Sequence, residues 1–236
     1  MTLTSDTVFG LSLSPDGSRA AVGGADNTVR VLETATGKEL LKIGNHENWV
    51  LGTVFGVDGK RLVSVGRDRA AKLTDAATGA FVENVNLLRG QLAAIARHPR
   101  RDVVLIGGED RVPYLYTMDR ARAMKIADDS TLIRKFDKQS GGIFSLAFSP
   151  DGSNAAAAGE AGEVPIYNTE TGALVAVCKG HEGGIYALAF RPDGEQLATG
   201  GFDGSVRIYE VKSGKLVREF VAVPLEKNLI TQKGTP

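Results

Sequence analysis

One short turn recurs along this 236-residue chain at nearly fixed intervals, and that periodicity restricts the fold more than any other feature. It reads Ser14-Pro15-Asp16-Gly17, Gly56-Val57-Asp58-Gly59, His98-Pro99-Arg100-Arg101, Ser149-Pro150-Asp151-Gly152 and Arg191-Pro192-Asp193-Gly194, at steps of 42, 42, 51 and 42 residues. Each turn sits inside a larger unit, clearest at residues 184–219. There, apolar runs at 185–190, 196–200, 206–210 and 216–220 are separated by Asp-Gly and Ser-Gly turns. Short β-branched and aromatic runs spaced this way predict four antiparallel strands joined by tight hairpins. A meander repeated every 40–45 residues cannot bury both of its faces alone. Stacking the copies radially supplies the missing partners, and that is the pattern of a β-propeller.

The copies hold one register. The second turn reads Gly24-Ala25-Asp26, Gly66-Arg67-Asp68, Gly108-Glu109-Asp110, Gly159-Glu160-Ala161 and Gly201-Phe202-Asp203. The third reads Thr36-Gly37, Thr78-Gly79, Thr171-Gly172 and Ser213-Gly214, and is lost in the third copy. The 51-residue step exceeds the others by nine, so an insertion falls within residues 118–142. In the first strand one position is always small (Gly10, Gly52, Ala94, Ser145, Ala187), as expected where sheets converge on an axis. Pro113 and Pro165 fall in third strands, where each removes a ladder donor, so blades three and four are expected to be the least regular.

The predicted fold class is therefore all-β, a propeller of five four-stranded antiparallel blades. The blades run approximately over 1–46, 47–89, 90–141, 142–182 and 183–223, with a C-terminal tail or linker at 224–236. Two arrangements fit the sequence: five blades closing a small ring, or five blades of a larger ring, such as a seven-bladed one, cut from a longer multidomain protein. In the second arrangement the terminal blades would expose apolar faces, which favour self-association.

Composition excludes several classes of function. Lys plus Arg and Asp plus Glu each number 28, which gives no reason to expect nucleic acid or an anionic membrane as partner. Cys178 is the single cysteine, so neither an internal disulfide nor a cysteine-based metal site can form. No signal peptide is visible at the start, and no apolar run reaches the ~20 residues that cross a bilayer. Cytoplasmic is the default location.

The repeats resemble WD40 repeats, a family of β-propellers, in a degenerate form found in bacterial proteins. The Trp-Asp pair of that family is absent; in its place stand Leu32-Glu33, Thr74-Asp75, Tyr116-Thr117, Tyr167-Asn168 and Tyr209-Glu210. Gly180-His181 matches the family's Gly-His dipeptide, and Asn45-His46 matches it in part. The resemblance implies a hydrogen-bonded tetrad in each well-preserved blade. The fifth copy offers His181, Thr199, Asp203 and Tyr209. The second offers His46, Ser64 and Asp68, with Thr74 closing nothing. Ala161 breaks the pattern in the fourth. The resemblance also implies a protein-binding rim near the start of each first strand and just before each turn Asp. The matching residues are Phe9, Leu51, Ala93, Phe144 and Tyr186, then Ala25, Arg67, Glu109, Glu160 and Phe202. Of these, Phe9, Leu51, Phe144, Tyr186, Arg67 and Phe202 are the candidates for partner contact. For Phe9 and Phe144, plugging the channel mouth is an equal alternative, as core packing is for Trp49.

Chemistry is hard to find. The glycine pairs precede Asp-containing turns with no helix after them, so they cannot cradle phosphate as a strand–loop–helix does. No nucleophile elbow or zinc-protease motif occurs, and of the three histidines two have tetrad places. His98, in a turn matching Ser14 and Arg191, is expected at the surface. No catalytic residue, metal site or cofactor is predicted. The expected function is a non-catalytic scaffold for protein–protein interaction or assembly. The competing expectation is a small-ligand-binding or enzymatic propeller using the central channel. The inserted segment, with Arg120, Arg122, Lys125, Asp128 and Asp129, is a second candidate for contact.

Overall fold

The computed structural model describes residues 6–119 and 129–222. Within them lie five four-stranded antiparallel sheets, each a meander in sequence order. The first sheet is β1 (Val8–Leu13), β2 (Arg19–Gly24), β3 (Val29–Glu33) and β4 (Glu39–Ile43). The second is β5 (Val50–Phe55), β6 (Arg61–Gly66), β7 (Ala71–Asp75) and β8 (Phe81–Asn84). The third is β9 (Leu92–Arg97), β10 (Val103–Gly108), β11 (Tyr114–Thr117) and β12 (Leu132–Lys135). The fourth is β13 (Ile143–Phe148), β14 (Asn154–Gly159), β15 (Val164–Asn168) and β16 (Leu174–Cys178). The fifth is β17 (Ile185–Phe190), β18 (Gln196–Gly201), β19 (Ser205–Glu210) and β20 (Leu216–Val221). The four runs read at residues 184–219 are β17 to β20, and the architecture is the all-β blade pattern the periodicity predicts.

The blades pack through their first strands, in the order β1, β5, β9, β13, β17. The small first-strand position makes that approach feasible. A Cβ on Gly10 would stand 2.7 Å from the Gly52 Cα, so no larger residue fits without moving β5 away. Beside it, the Ser12 and Thr53 hydroxyls pair at 3.0 Å across the same junction. Each junction is then filled from both sides. Ala21, Val29, Val31 and Ile43 of blade one meet Val50, Phe55 and Leu62 of blade two in one buried cluster. Similar clusters join blades two and three, three and four, and four and five.

Among the described residues, the outermost faces lack such cover. Leu13 holds in blade one the place of Phe55 in blade two, yet it is 57% exposed where Phe55 is 1% exposed. Full burial of such a side chain is worth about 1.5–3 kcal/mol, so the difference is energetically large. At the other end every residue of β20 is exposed.

Blades three and four do lose regularity at the prolines. The ladder between second and third strands has five partner pairs in blades one, two and five. It has four in blade three, where β11 begins just after Pro113, and three in blade four, where it stops short of Pro165. β12 follows the insertion. Arg120 to Lys125 and Asp128, the start of the chain through Ser5, and the tail at 224–236 lie outside the described residues.

One expectation is overturned. His98 is 4% exposed rather than at the surface. Its ring packs edge-on to Phe148, 5.3 Å between centroids, and fills the space over Gly152 of the next blade. A Cβ on Gly152 would stand 2.1 Å from the His98 Nε2, and its φ of +80° independently favours glycine. In blades one, three and four this turn position points inward and its side chain satisfies the turn's own N–H groups. The Ser14 Oγ accepts from the Arg19 N–H at 2.9 Å, the Ser149 Oγ from the Asn154 N–H at 2.9 Å, and the His98 Nδ1 from the Arg100 N–H at 3.1 Å.

Candidate functional site

Two histidine networks hold the second turns of blades two and five. The His46 Nδ1 lies 2.9 Å from Asp68 and its Nε2 2.8 Å from the Ser64 Oγ, with the ring fully buried. The His181 Nδ1 lies 3.0 Å from the Asp203 Oδ1 and its Nε2 2.6 Å from the Thr199 Oγ1. The Tyr209 hydroxyl does not extend this chain; it donates to the Lys179 carbonyl at 2.9 Å, tying down the segment that leads from β16 into Gly180-His181. Thr74, read as closing nothing, accepts from the Asn45 amide at 3.3 Å.

Sequence reading missed a further partner of the turn Asp. Four residues after each turn Asp stands a side chain that reaches back to it. Arg30 bonds Asp26 at 2.6 Å, Lys72 sits 3.5 Å from Asp68, Tyr114 donates to Asp110 at 2.7 Å, and Arg207 bonds Asp203 at 2.5 Å. Where Ala161 replaces Asp, the position four on is Pro165. This pairing is visible in the repeat comparison as Arg, Lys, Tyr, Pro, Arg. Burial opposes ionisation of Asp203, but the Arg207 guanidinium and the backbone N–H groups of Glu182 and Ser205 outweigh it and hold the carboxyl far below its ordinary range. Each of these carboxylates is thus engaged within its own blade.

The rim residues share one backbone device. Phe9, Leu51, Ala93, Phe144 and Tyr186 are each the second residue of a first strand. In every blade the register with the second strand skips that residue. Each is therefore the extra residue of a β-bulge, a feature that re-aims a side chain, here at the same end of all five blades. Phe9 stacks on Trp49 at 5.1 Å, and the Arg67 guanidinium carbon lies 4.1 Å from the Trp49 ring centroid. Phe144 stacks on Tyr186 at 5.4 Å with the rings 4° from parallel. Phe9 is 40% exposed, Tyr186 56% and Phe202 67%, while Leu51, Ala93 and Phe144 are half-buried. Trp49, at 36% exposed, belongs to this surface rather than to a core cluster.

The same end holds a groove of about 350 Å³ across blades two to four, between Arg67 and Phe144. The channel mouth, about 180 Å³, is lined by Gly10, Gly52, Ala94 and Ile95 together with the hydroxyl-bearing Thr53 and Ser145. A larger hollow of about 460 Å³ opens at the opposite end between blades four and five. Its carboxylates are already engaged: Asp151 by Ser149 and Ser153, Asp193 and Glu195 by Arg191, and Glu210 by Ser213. Among the described residues no three His, Cys, Asp or Glu side chains converge as a metal site. Burial pushes the Cys178 thiol up to about 12, which removes it as a nucleophile at neutral pH.

Comparison with known proteins fits this geometry. The family described as "WD domain, G-beta repeat" matches residues 1–32, 130–168 and 172–210. Similar proteins include an uncharacterised WD repeat-containing protein of Schizosaccharomyces pombe, 24% identical over 72% of this chain and 35% of that protein. Eukaryotic translation initiation factor 3 subunit I of Culex quinquefasciatus is 28% identical over 61% of this chain and 45% of its own length. Transcription factor unc-37 of Caenorhabditis elegans is 43% identical over 27% of this chain and 10% of its own. The chain thus spans less than half the length of each of these relatives.

Proposed function

Because the chain belongs to the WD40-repeat family, we propose that it is a non-catalytic scaffold that binds a partner protein through the bulged rim. One observation carries this reading. Five consecutive β-bulges turn their extra residues to one end, where Phe9, Trp49, Phe144, Tyr186 and Phe202 gather at the surface. Exposed aromatic clusters of this kind cost solubility and mark contact sites, and aromatic and arginine anchors dominate interface energies. The relatives named as a translation factor subunit and a transcription factor are themselves not named as enzymes, which supports the same class. Affinity capture with the full chain tests it. Tyr186→Ala combined with Phe202→Ala is expected to lose partners that wild type and a Lys212→Ala control at the opposite end both retain. Unchanged capture by the double variant would remove the rim as the contact face. A small-molecule screen that raised the melting temperature by several degrees would instead favour the channel.

A further inference from the structure

We infer that the groove between Arg67 and Phe144 takes an extended peptide segment carrying a carboxylate beside an apolar side chain, with Arg67 as the carboxylate anchor. This rests on the rim being the partner face. The charges lining the groove are not equivalent. The Glu109 carboxylate accepts the Gln91 N–H at 3.1 Å and the Glu160 carboxylate the Gly142 N–H at 2.8 Å, so both hold their own loops in blades that lack a turn histidine. Arg111 donates to the Ser140 carbonyl at 3.4 Å. Arg67 alone among these four has no hydrogen bond or ion pair from its guanidinium among the described residues. Arg30 and Arg207, in the third strands of blades one and five, are by contrast each bonded to the turn Asp four residues before them.

Arg67 is nevertheless positioned. Trp49 lies against one side of its guanidinium at 4.1 Å, and Phe9 backs Trp49, so the side chain is held at the lip of the groove with its N–H groups left for an acceptor. A planar fork fixed in this way suits a carboxylate, which it can bind through two parallel bonds. Leu51, Ala93 and Phe144 supply an apolar seat next to it. The groove crosses three blades and is open along its length, which suits an extended chain better than a compact ligand.

The single tryptophan makes the inference measurable, because Trp49 touches the proposed anchor. Random peptides of about twelve residues, long enough to span ~40 Å when extended, are displayed and selected in parallel on the full chain, on Arg67→Glu and on Tyr186→Ala with Phe202→Ala. Enriched peptides are then titrated by Trp49 fluorescence. Wild type is expected to enrich Asp or Glu within about three residues of Leu, Ile, Met or Phe, and these peptides should change Trp49 emission. Arg67→Glu should bind them at least about tenfold more weakly and enrich Lys or Arg at the acidic place instead. Because Arg67 is exposed, its variants should melt within ~2 °C of wild type.

Enrichment without acidic preference, the same acidic peptides on Arg67→Glu, or no enrichment on wild type would overturn the inference. If Arg67→Glu changes nothing while the Tyr186 and Phe202 variant loses binding, the carboxylate anchor fails and the rim stands. If neither variant changes binding, both fail. A concentration-dependent dimer dissolved by Arg67→Glu would assign the groove to a second copy of the chain and overturn the peptide reading.

Discussion

Phe220 occupies in β20 the place that Cys178 occupies in β16, yet Phe220 is 46% exposed and Cys178 only 1%. Cys178 meets Ile185 of the next blade inside a shared cluster. Among the described residues Phe220 belongs to no such cluster, and Leu11 and Leu13 of blade one are likewise exposed. These two faces carry the same chemistry that joins blades one and two, so one is complementary to the other. The chain is therefore expected to self-associate with rising concentration in sedimentation velocity. Phe220→Asp should weaken that association with little change in melting temperature. Cys178→Asp, which buries a carboxylate, should prevent folding. A monomer at every concentration would contradict the prediction.

The His46 network makes a second prediction. Asp68 is 5% exposed at its side chain and accepts from His46, so His46→Ala leaves a buried carboxylate short of a partner, with Lys72 still 3.5 Å away. The expected cost is about 1–3 kcal/mol, a fall of roughly 3–10 °C in melting temperature for a chain of this size. Differential scanning calorimetry reads it directly, and a change under ~1 °C would show the network to be dispensable.

Acid stability gives a third. The Arg30 guanidinium beside Asp26, helped by Thr28 and opposed by partial burial, brings the carboxyl down to about 2. A pKa lowered in the folded state contributes stability that is present above the ordinary carboxylate value of 3.8 and is lost as pH falls toward 2. Melting temperature should therefore drop across that window, and Arg30→Gln should flatten its share, about 1–2 kcal/mol after solvent screening. An identical acid limb in the variant would show that Asp26 and Arg30 do not couple.

Much of this fold is written in the turns. The Asp-Gly and Thr-Gly pairs fix where strands end, and their constant spacing fixes how sheets repeat. The small residue at Gly10 and Gly52 announces close approach of neighbouring strands. What the spacing cannot convey is side-chain direction. His98 stands in a turn, and turns are usually wet, but at that position Ser14 and Ser149 also point inward to satisfy backbone N–H groups. The bulges at Phe9, Leu51, Ala93, Phe144 and Tyr186 were equally hidden. Strand alternation alone would place these side chains on a blade face, and only the skipped register turns them to the rim. The stack of Arg67 on Trp49 joins residues 18 apart on a loop and a turn, for which no periodicity exists.

The claim that the bulged rim is the partner face is tested most directly by photo-cross-linking. Benzoylphenylalanine placed at position 202, beside the exposed rim, is expected to give a discrete covalent adduct with a partner protein in an extract of the source cells. The same group at position 212, in the turn at the opposite end of blade five, is expected to give none. Adducts from position 212 with none from position 202 would contradict the account.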